Sequence, residues 1–332
     1  MKSHAAHSIA HTLTIFLTMA LLSGCNSNTT TRPADSPSTG TPLISPTTAR
    51  SVPIFAEDGR PSDWSALLAA CCDADFVLIG ENHGHPLGLA SAAALWEDML
   101  PRCPRAALAM EFIERDEQSH LDDYLTGVTD EATFRKRTNR VDGNYPPGHA
   151  QMIAAAKSAG RPVIAANAPR PYVRLARTEG FDRLAALTPE QHRLFRIPDH
   201  MPPRGTRYRD DFDNLMREDP GHSPAAPADL AAEAKRTATL DATFRAQSMW
   251  DWTMSESIAR AFNNNNAPVL LVVGRFHIDF NGGLPQALAL QAPNAKILRV
   301  TFIDAPPLTT NTPRDEDKAR ANYMIYVGTR PR

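Results

Sequence analysis

The chain has 332 residues, with 35 Lys and Arg against 37 Asp and Glu and a formal net charge of −2. With no cationic excess and the basic residues scattered along the sequence, no stripe offers itself to neutralise a phosphate backbone, and nucleic acid is not expected as a partner. No repeat and no second low-apolar linker divides residues 51–332, a length that suits one α/β domain.

In chain order, Lys2 and several histidines precede the apolar run Leu13 to Leu22, which ends at Ser23-Gly24-Cys25. The run is short of the roughly 20 residues a membrane span requires, and small residues before a cysteine suit cleavage, so residues 1–24 are expected to be a lipoprotein signal peptide. Acyl chains on Cys25 would bury enough apolar surface for stable anchoring to a membrane. Asn26 in place of Asp resembles the Gram-negative sorting pattern that leads to the outer membrane. Residues 25–50, rich in Ser, Thr, Pro and Gly, are expected to be a disordered tether. Three cysteines then remain, and an oxidising compartment predicts one disulfide and one free thiol. Cys71 or Cys72 is expected to pair with Cys103, because each precedes a predicted strand and adjacent parallel strands would bring those entry points together.

Phe76-Val77-Leu78-Ile79 reads as a buried strand ending at Gly80, followed by a helix from Pro86 to Leu100 that Pro101 stops. Ala106 to Met110 is the next strand, ending at Glu111-Phe112, with a polar helix around Glu117 to Leu125. Residues 149–159 are expected as helix, Pro162 to Ala166 as a strand ending at Asn167, and Tyr172 to Ala176 as helix again. Residues 198–227, rich in Pro, Arg, Asp and His, look like an irregular insertion or lid. A long helix is expected from the N-cap Asp229 to Phe262, then the strand Val269 to Val273 ending at Gly274, and two late strands, Ile297 to Phe302 and Tyr323 to Val327. Strands that are apolar throughout, not alternating, imply burial on both faces: an α/β fold, a mostly parallel central sheet flanked by helices.

In open parallel sheets the binding crevice lies beyond the carboxyl ends of the strands, and the polar residues gather there. Glu81 and His83 follow the first strand, Glu111 the second, Asn167 and Arg170 the third, and His277 with Asp279 the late apolar strand. Glu81, His83, Glu111 and His277 supply two carboxylates and two imidazoles, a set suited to zinc or manganese. It suits equally a metal-free hydrolase in which a histidine accepts a proton from water while a carboxylate orients it.

Gly80-Glu81-Asn82-His83 and Gly274-Arg275-Phe276-His277 are two Gly-x-x-His motifs, each after an apolar strand. Together with Ala109-Met110-Glu111-Phe112, Ala166-Asn167-Ala168-Pro169-Arg170 and Ala246-Gln247-Ser248-Met249-Trp250-Asp251 they cover most of residues 70–285. On these motifs the chain resembles the ChaN-like haem-binding lipoproteins of the Tiki/TraB and erythromycin-esterase superfamily. The resemblance implies a sheet flanked by helices, a polar site at Glu81, His83, Glu111 and His277, and supporting positions at Asn167, Arg170, Gln247 and Asp251.

It also implies haem binding for iron uptake, through a tyrosine ligand that no motif locates here. Tyr145, Tyr172 and Tyr208 are the candidates, and His85, His149 and His200 stay open because imidazole also ligates haem iron. No Cys-x-x-Cys-His occurs, so any haem would be held reversibly. A porphyrin packed between two protomers would make a homodimer that forms on ligand addition, and an outer-membrane receptor is a further expected partner. Trp250, Met254, Ser257 and Ile258 share a helical face read as core packing in preference to a porphyrin wall.

Overall fold

The computed structural model describes residues 44–218, 230–306, 308 and 311–330. The expected signal peptide, the lipidation site Cys25, the tether up to residue 43 and residues 219–227 of the expected lid lie outside the described residues.

The first described element is a short helix, α1 (Pro46–Arg50), capped by the Ser45 hydroxyl on the Thr48 amide at 3.1 Å. It falls in the stretch expected as tether, yet Ala49 is buried and Arg50 donates to both oxygens of Asp98 at 2.8 Å. A small hairpin, β1 (Ile54–Ala56) and β2 (Pro61–Ser62), leads to α2 (Trp64–Asp73), N-capped by Asp63. Then come β3 (Phe76–Glu81), α3 (Pro86–Met99) and β4 (Ala107–Glu114). After β4 the chain forms α4 (Gln118–Leu125), α5 (Glu131–Arg137), α6 (Pro147–Ser158), β5 (Val163–Asn167) and α7 (Arg170–Glu179). Short helices α8 (Phe181–Ala185) and α9 (Pro189–His192) precede α10 (Arg207–Glu218) and the 34-residue α11 (Leu230–Asn263). The chain ends with β6 (Val269–Gly274), α12 (Gly283–Gln291), β7 (Ile297–Ile303) and β8 (Tyr323–Tyr326).

All eight strands join one sheet in the order β2-β1-β8-β7-β3-β6-β4-β5. The run from β8 to β5 is parallel, and β1 pairs antiparallel with both β2 and β8. Alternation within the apolar strands builds two core layers, as the period of two requires. Val77 and Ile79 of β3 and Leu270 and Val272 of β6 meet Leu67, Leu95, Trp96, Met99 and Met152 from α2, α3 and α6. Phe76, Leu78, Leu271 and Val273 turn the other way, onto Met254 and Ile258 of α11 and Leu284 and Leu288 of α12. Met254 and Ile258 are therefore core residues, and Ser257 donates to the Ala166 carbonyl at 2.8 Å.

Cys72 and Cys103 form a disulfide, with Cys71 buried and free. The positional reason given for that pair needs correction, since β6 lies between β3 and β4 and the two strands are not neighbours. What joins the cysteines is the packing of α2 beside α3: Cys72 lies at the end of α2 and Cys103 in the loop between α3 and β4. The expected irregular insertion is also more regular than its composition implied, because α10 (Arg207–Glu218) runs through its middle. Arg209, with Asp213 at 2.8 Å and Asp241 at 2.7 Å, ties α10 to α11 with charges that look like loop composition in the sequence. At the outer side of β5, the Gln118 side-chain amide donates to the Val163 carbonyl at 3.0 Å and accepts from the Ala165 amide at 2.7 Å.

Candidate functional site

The carboxyl ends of β3, β6 and β4 lie side by side, and the two Gly-x-x-His motifs meet there. Gly80 is required by close approach, since a Cβ would lie 2.9 Å from both Cα and Cβ of Arg275. At Gly274 a Cβ would lie 2.8 Å from Cε1 and Nε2 of His83, so the imidazole rests directly on that glycine.

His83 donates from Nδ1 to Oε1 of Glu81 at 3.0 Å, while Oε2 of the same carboxylate receives Nε2 of His149 at 2.8 Å. Glu81 and His149 are fully buried, whereas the His83 side chain is 52% exposed, which leaves the ring reachable from the crevice. Burial alone would raise the Glu81 pKa, but the charges and hydrogen bonds of His149 and His83 outweigh it and hold the carboxyl at about 2. For His83 burial opposes the charged ring, and the hydrogen bond it donates to Glu81, with the charges of Glu111 and Glu81, lifts it to about 9. Phe112 packs against both rings, 5.0 Å from His83 and 4.7 Å from His149 between centroids.

A second imidazole–carboxylate pair adjoins the first. His277 donates from Nδ1 to Oδ1 of Asp251 at 2.6 Å, and its Nε2 lies 3.6 Å from Glu111 Oε1. Glu111 Oε2 accepts the Gly274 amide at 2.6 Å, which fixes the carboxylate between the two motifs. Burial disfavours the charged His277 ring, but Asp251 and Glu111 prevail and raise its pKa. The other oxygen of Asp251 accepts the Tyr208 hydroxyl at 2.7 Å, and the Gln247 amide donates to the same hydroxyl at 3.0 Å and lies 3.1 Å from His277 Nδ1. Burial, then the neighbouring Asp251 charge, push the Tyr208 phenol well above its ordinary range, so it stays a neutral donor. Gly283 opens α12 where Asp251 and the Tyr208 ring leave no room for a side chain.

Glu81, His83, Glu111 and His277 are thus brought together as expected, with Gln247 and Asp251 supporting them. Among the described residues no group of three or more His, Cys, Asp or Glu is placed to hold an ion, so the four do not form a ready-made ligand set in this arrangement. The physical reason is that these side chains satisfy one another in imidazole–carboxylate pairs, so their donor atoms do not converge on one point. Asp279 is likewise engaged, accepting from Thr301 at 2.7 Å and Arg320 at 2.8 Å. Asn167 caps the next turn by accepting the Ala168 amide at 2.9 Å, and Arg170 is 84% exposed beside Glu114.

The candidate haem ligands are scattered. Tyr145, Tyr208, His85 and His149 are buried, Tyr172 is half-buried on α7, and His200 is exposed. Tyr208 is committed to Asp251, and His85 caps α3 through the Gly88 amide at 3.2 Å and holds the Gly328 carbonyl at 3.1 Å. His149 belongs to the strand-end cluster, a role the sequence reading missed. Its signal was Gly148, which α6 needs where a side chain would collide with the backbone of Leu89.

A family model described as haem-binding uptake, Tiki superfamily, ChaN matches residues 67–288. Among solved structures, ChaN of Campylobacter jejuni, described for cofacial haem binding, superposes with a TM-score of 0.63 at 15% identity, covering 82% of this chain and 96% of that one. A Bacillus cereus protein gives 0.46 at 10% identity over 85% of this chain and 95% of its own. The erythromycin esterase EreC gives 0.43 at 12% identity over 79% and 78%. No curated protein matches.

Proposed function

The chain belongs to the haem-binding uptake family ChaN of the Tiki superfamily, and on that premise we propose that it is an outer-membrane lipoprotein that binds haem reversibly in iron acquisition. The family match over residues 67–288 carries this reading. The Ser23-Gly24-Cys25 sequence after an apolar run supports the location, and the absence of Cys-x-x-Cys-His supports reversibility. Tyr172 is the ligand we favour, because of the three candidate phenols it alone is not buried. Its ring lies 5.0 Å from Phe195, within a cluster where Leu175, Phe181 and Leu194 are only partly buried. A phenolate oxygen there would supply ferric haem with a hard axial donor, and the partly exposed apolar side chains would receive one porphyrin face. The other face would seek a second protomer.

The test is a hemin titration followed by visible absorption and light scattering. A saturable Soret shift, a doubled mass on hemin addition, and loss of both in Tyr172→Phe are the expected results. No shift with the parent chain rejects haem binding; a shift retained by Tyr172→Phe rejects that ligand alone, and an unchanged mass rejects the dimer.

A second reading, a His/Glu-based hydrolase, is favoured by the Asp251–His277 and Glu81–His83 pairs, which haem binding does not require. The His83 pKa, lifted to about 9, makes that ring a proton donor at neutral pH, so its expected base role becomes a general-acid one, and the His277 pKa is shifted in the same direction. Any ester hydrolysis by the purified chain should fall about 100-fold or more in His83→Gln, and an unchanged rate would sink the reading.

A further inference from the structure

Three arginines of α7 fall on one face once the helix is wound. Arg170, Arg174 and Arg177 stand at i, i+4 and i+7 of α7, and all three are exposed while Val173 and Ala176 face the core. At about 100° per residue they lie within roughly 60° of one another along about 10 Å of helix. Arg245 of α11 brings a fourth guanidinium to the end of α7, donating to the carbonyls of Ala176 and Arg177 at 3.2 Å each.

Little opposes this charge. Among the described residues neither Arg174 nor Arg177 has a carboxylate partner, and Glu179, the one acid on α7, faces Arg183 at 3.6 Å. Arg170 approaches Glu114 at 3.3 Å but is 84% exposed, so solvent screens that pair. A face of this kind on a chain of net charge −2 is a local concentration and not the general character of the surface.

We propose that this face of α7 docks on an anionic lipid surface. Guanidinium groups match phosphate oxygens in a fork geometry, and a bilayer presents headgroup phosphates in a plane that a short, straight row can meet. A single-stranded nucleic acid fits less well, since it also needs aromatic platforms for its bases. The one aromatic of α7, Tyr172, is half-buried against Phe195. The inference rests on the lipoprotein reading only for the nearness of a bilayer and is independent of haem.

The test uses the full chain carrying Cys25→Ala, so that no acyl chain contributes, in co-sedimentation with vesicles. Phosphatidylcholine vesicles containing phosphatidylglycerol are compared with phosphatidylcholine alone, which sets the baseline from the apolar leader segment. The phosphatidylglycerol-dependent part of the affinity should fall between about 10-fold and about 30-fold in Arg174→Gln/Arg177→Gln and persist in Arg174→Lys/Arg177→Lys. It should also weaken with salt. Equal binding to neutral and anionic vesicles, an unaffected Gln variant, or tighter binding to a random single-stranded oligonucleotide than to the anionic vesicles would each overturn the proposal. If the Gln variant fails to fold, the salt dependence and the Lys variant decide.

Discussion

At the scale of single residues, Glu81 is the hinge of the site, because one carboxylate orients two imidazoles through its two oxygens. The pH dependence of stability follows from the two shifts. Glu81 is depressed from 4.5 to about 2, so its contribution is complete above the ordinary glutamate value and is lost as pH falls toward about 2. His83 is raised from 6.5 to about 9, so its contribution is complete below 6.5 and is lost as pH rises through about 9. Glu81→Gln should cost about 3–5 kcal/mol in urea unfolding at pH 6, as expected when one member of a buried charged group is removed. It should also flatten both limbs of the profile. A variant whose unfolding midpoint keeps the parent's dependence on pH would show that the clamp does not set it.

At the scale of elements, the clearest prediction concerns the link between α2 and the loop before β4. The disulfide joins residues 31 apart, a loop for which cross-linking contributes about 3–4 kcal/mol through the unfolded chain. Cys72→Ser/Cys103→Ser should therefore lose about that much, while Cys71, buried and pushed up to about 12, should resist alkylation in the native chain. Rapid labelling of Cys71 without unfolding would contradict this. The elements legible in the sequence were those whose burial leaves a pattern. Phe76 to Ile79 and Val269 to Val273 are apolar throughout because helices cover both faces, and their ends located Glu81, His83 and His277. The β1–β2 hairpin, with strands of three and two residues, is too short to show alternation. Helix α10 was hidden because its buried Arg209 and Asp213 neutralise each other, a fact that composition cannot carry. His149 escaped because it enters the site from a helix and not from a strand end, and the arginine face of α7 appears only once the helix is wound.

At the scale of the whole molecule, the site is a product of topology: a right order of parallel strands sets β3 and β6 together and so unites two motifs nearly 200 residues apart. The same topology limits how copies of the chain can associate. One margin of the sheet is β2, two residues long and opening with a proline, and the other is β5, where Gln118 takes the Val163 carbonyl and the Ala165 amide. Both margins thus offer a foreign strand a shortened or partly occupied ladder. Growth into fibrils by strand addition is thereby disfavoured, and copies of the chain that associate are expected to meet through helical faces, at the distance of side chains and not of backbones.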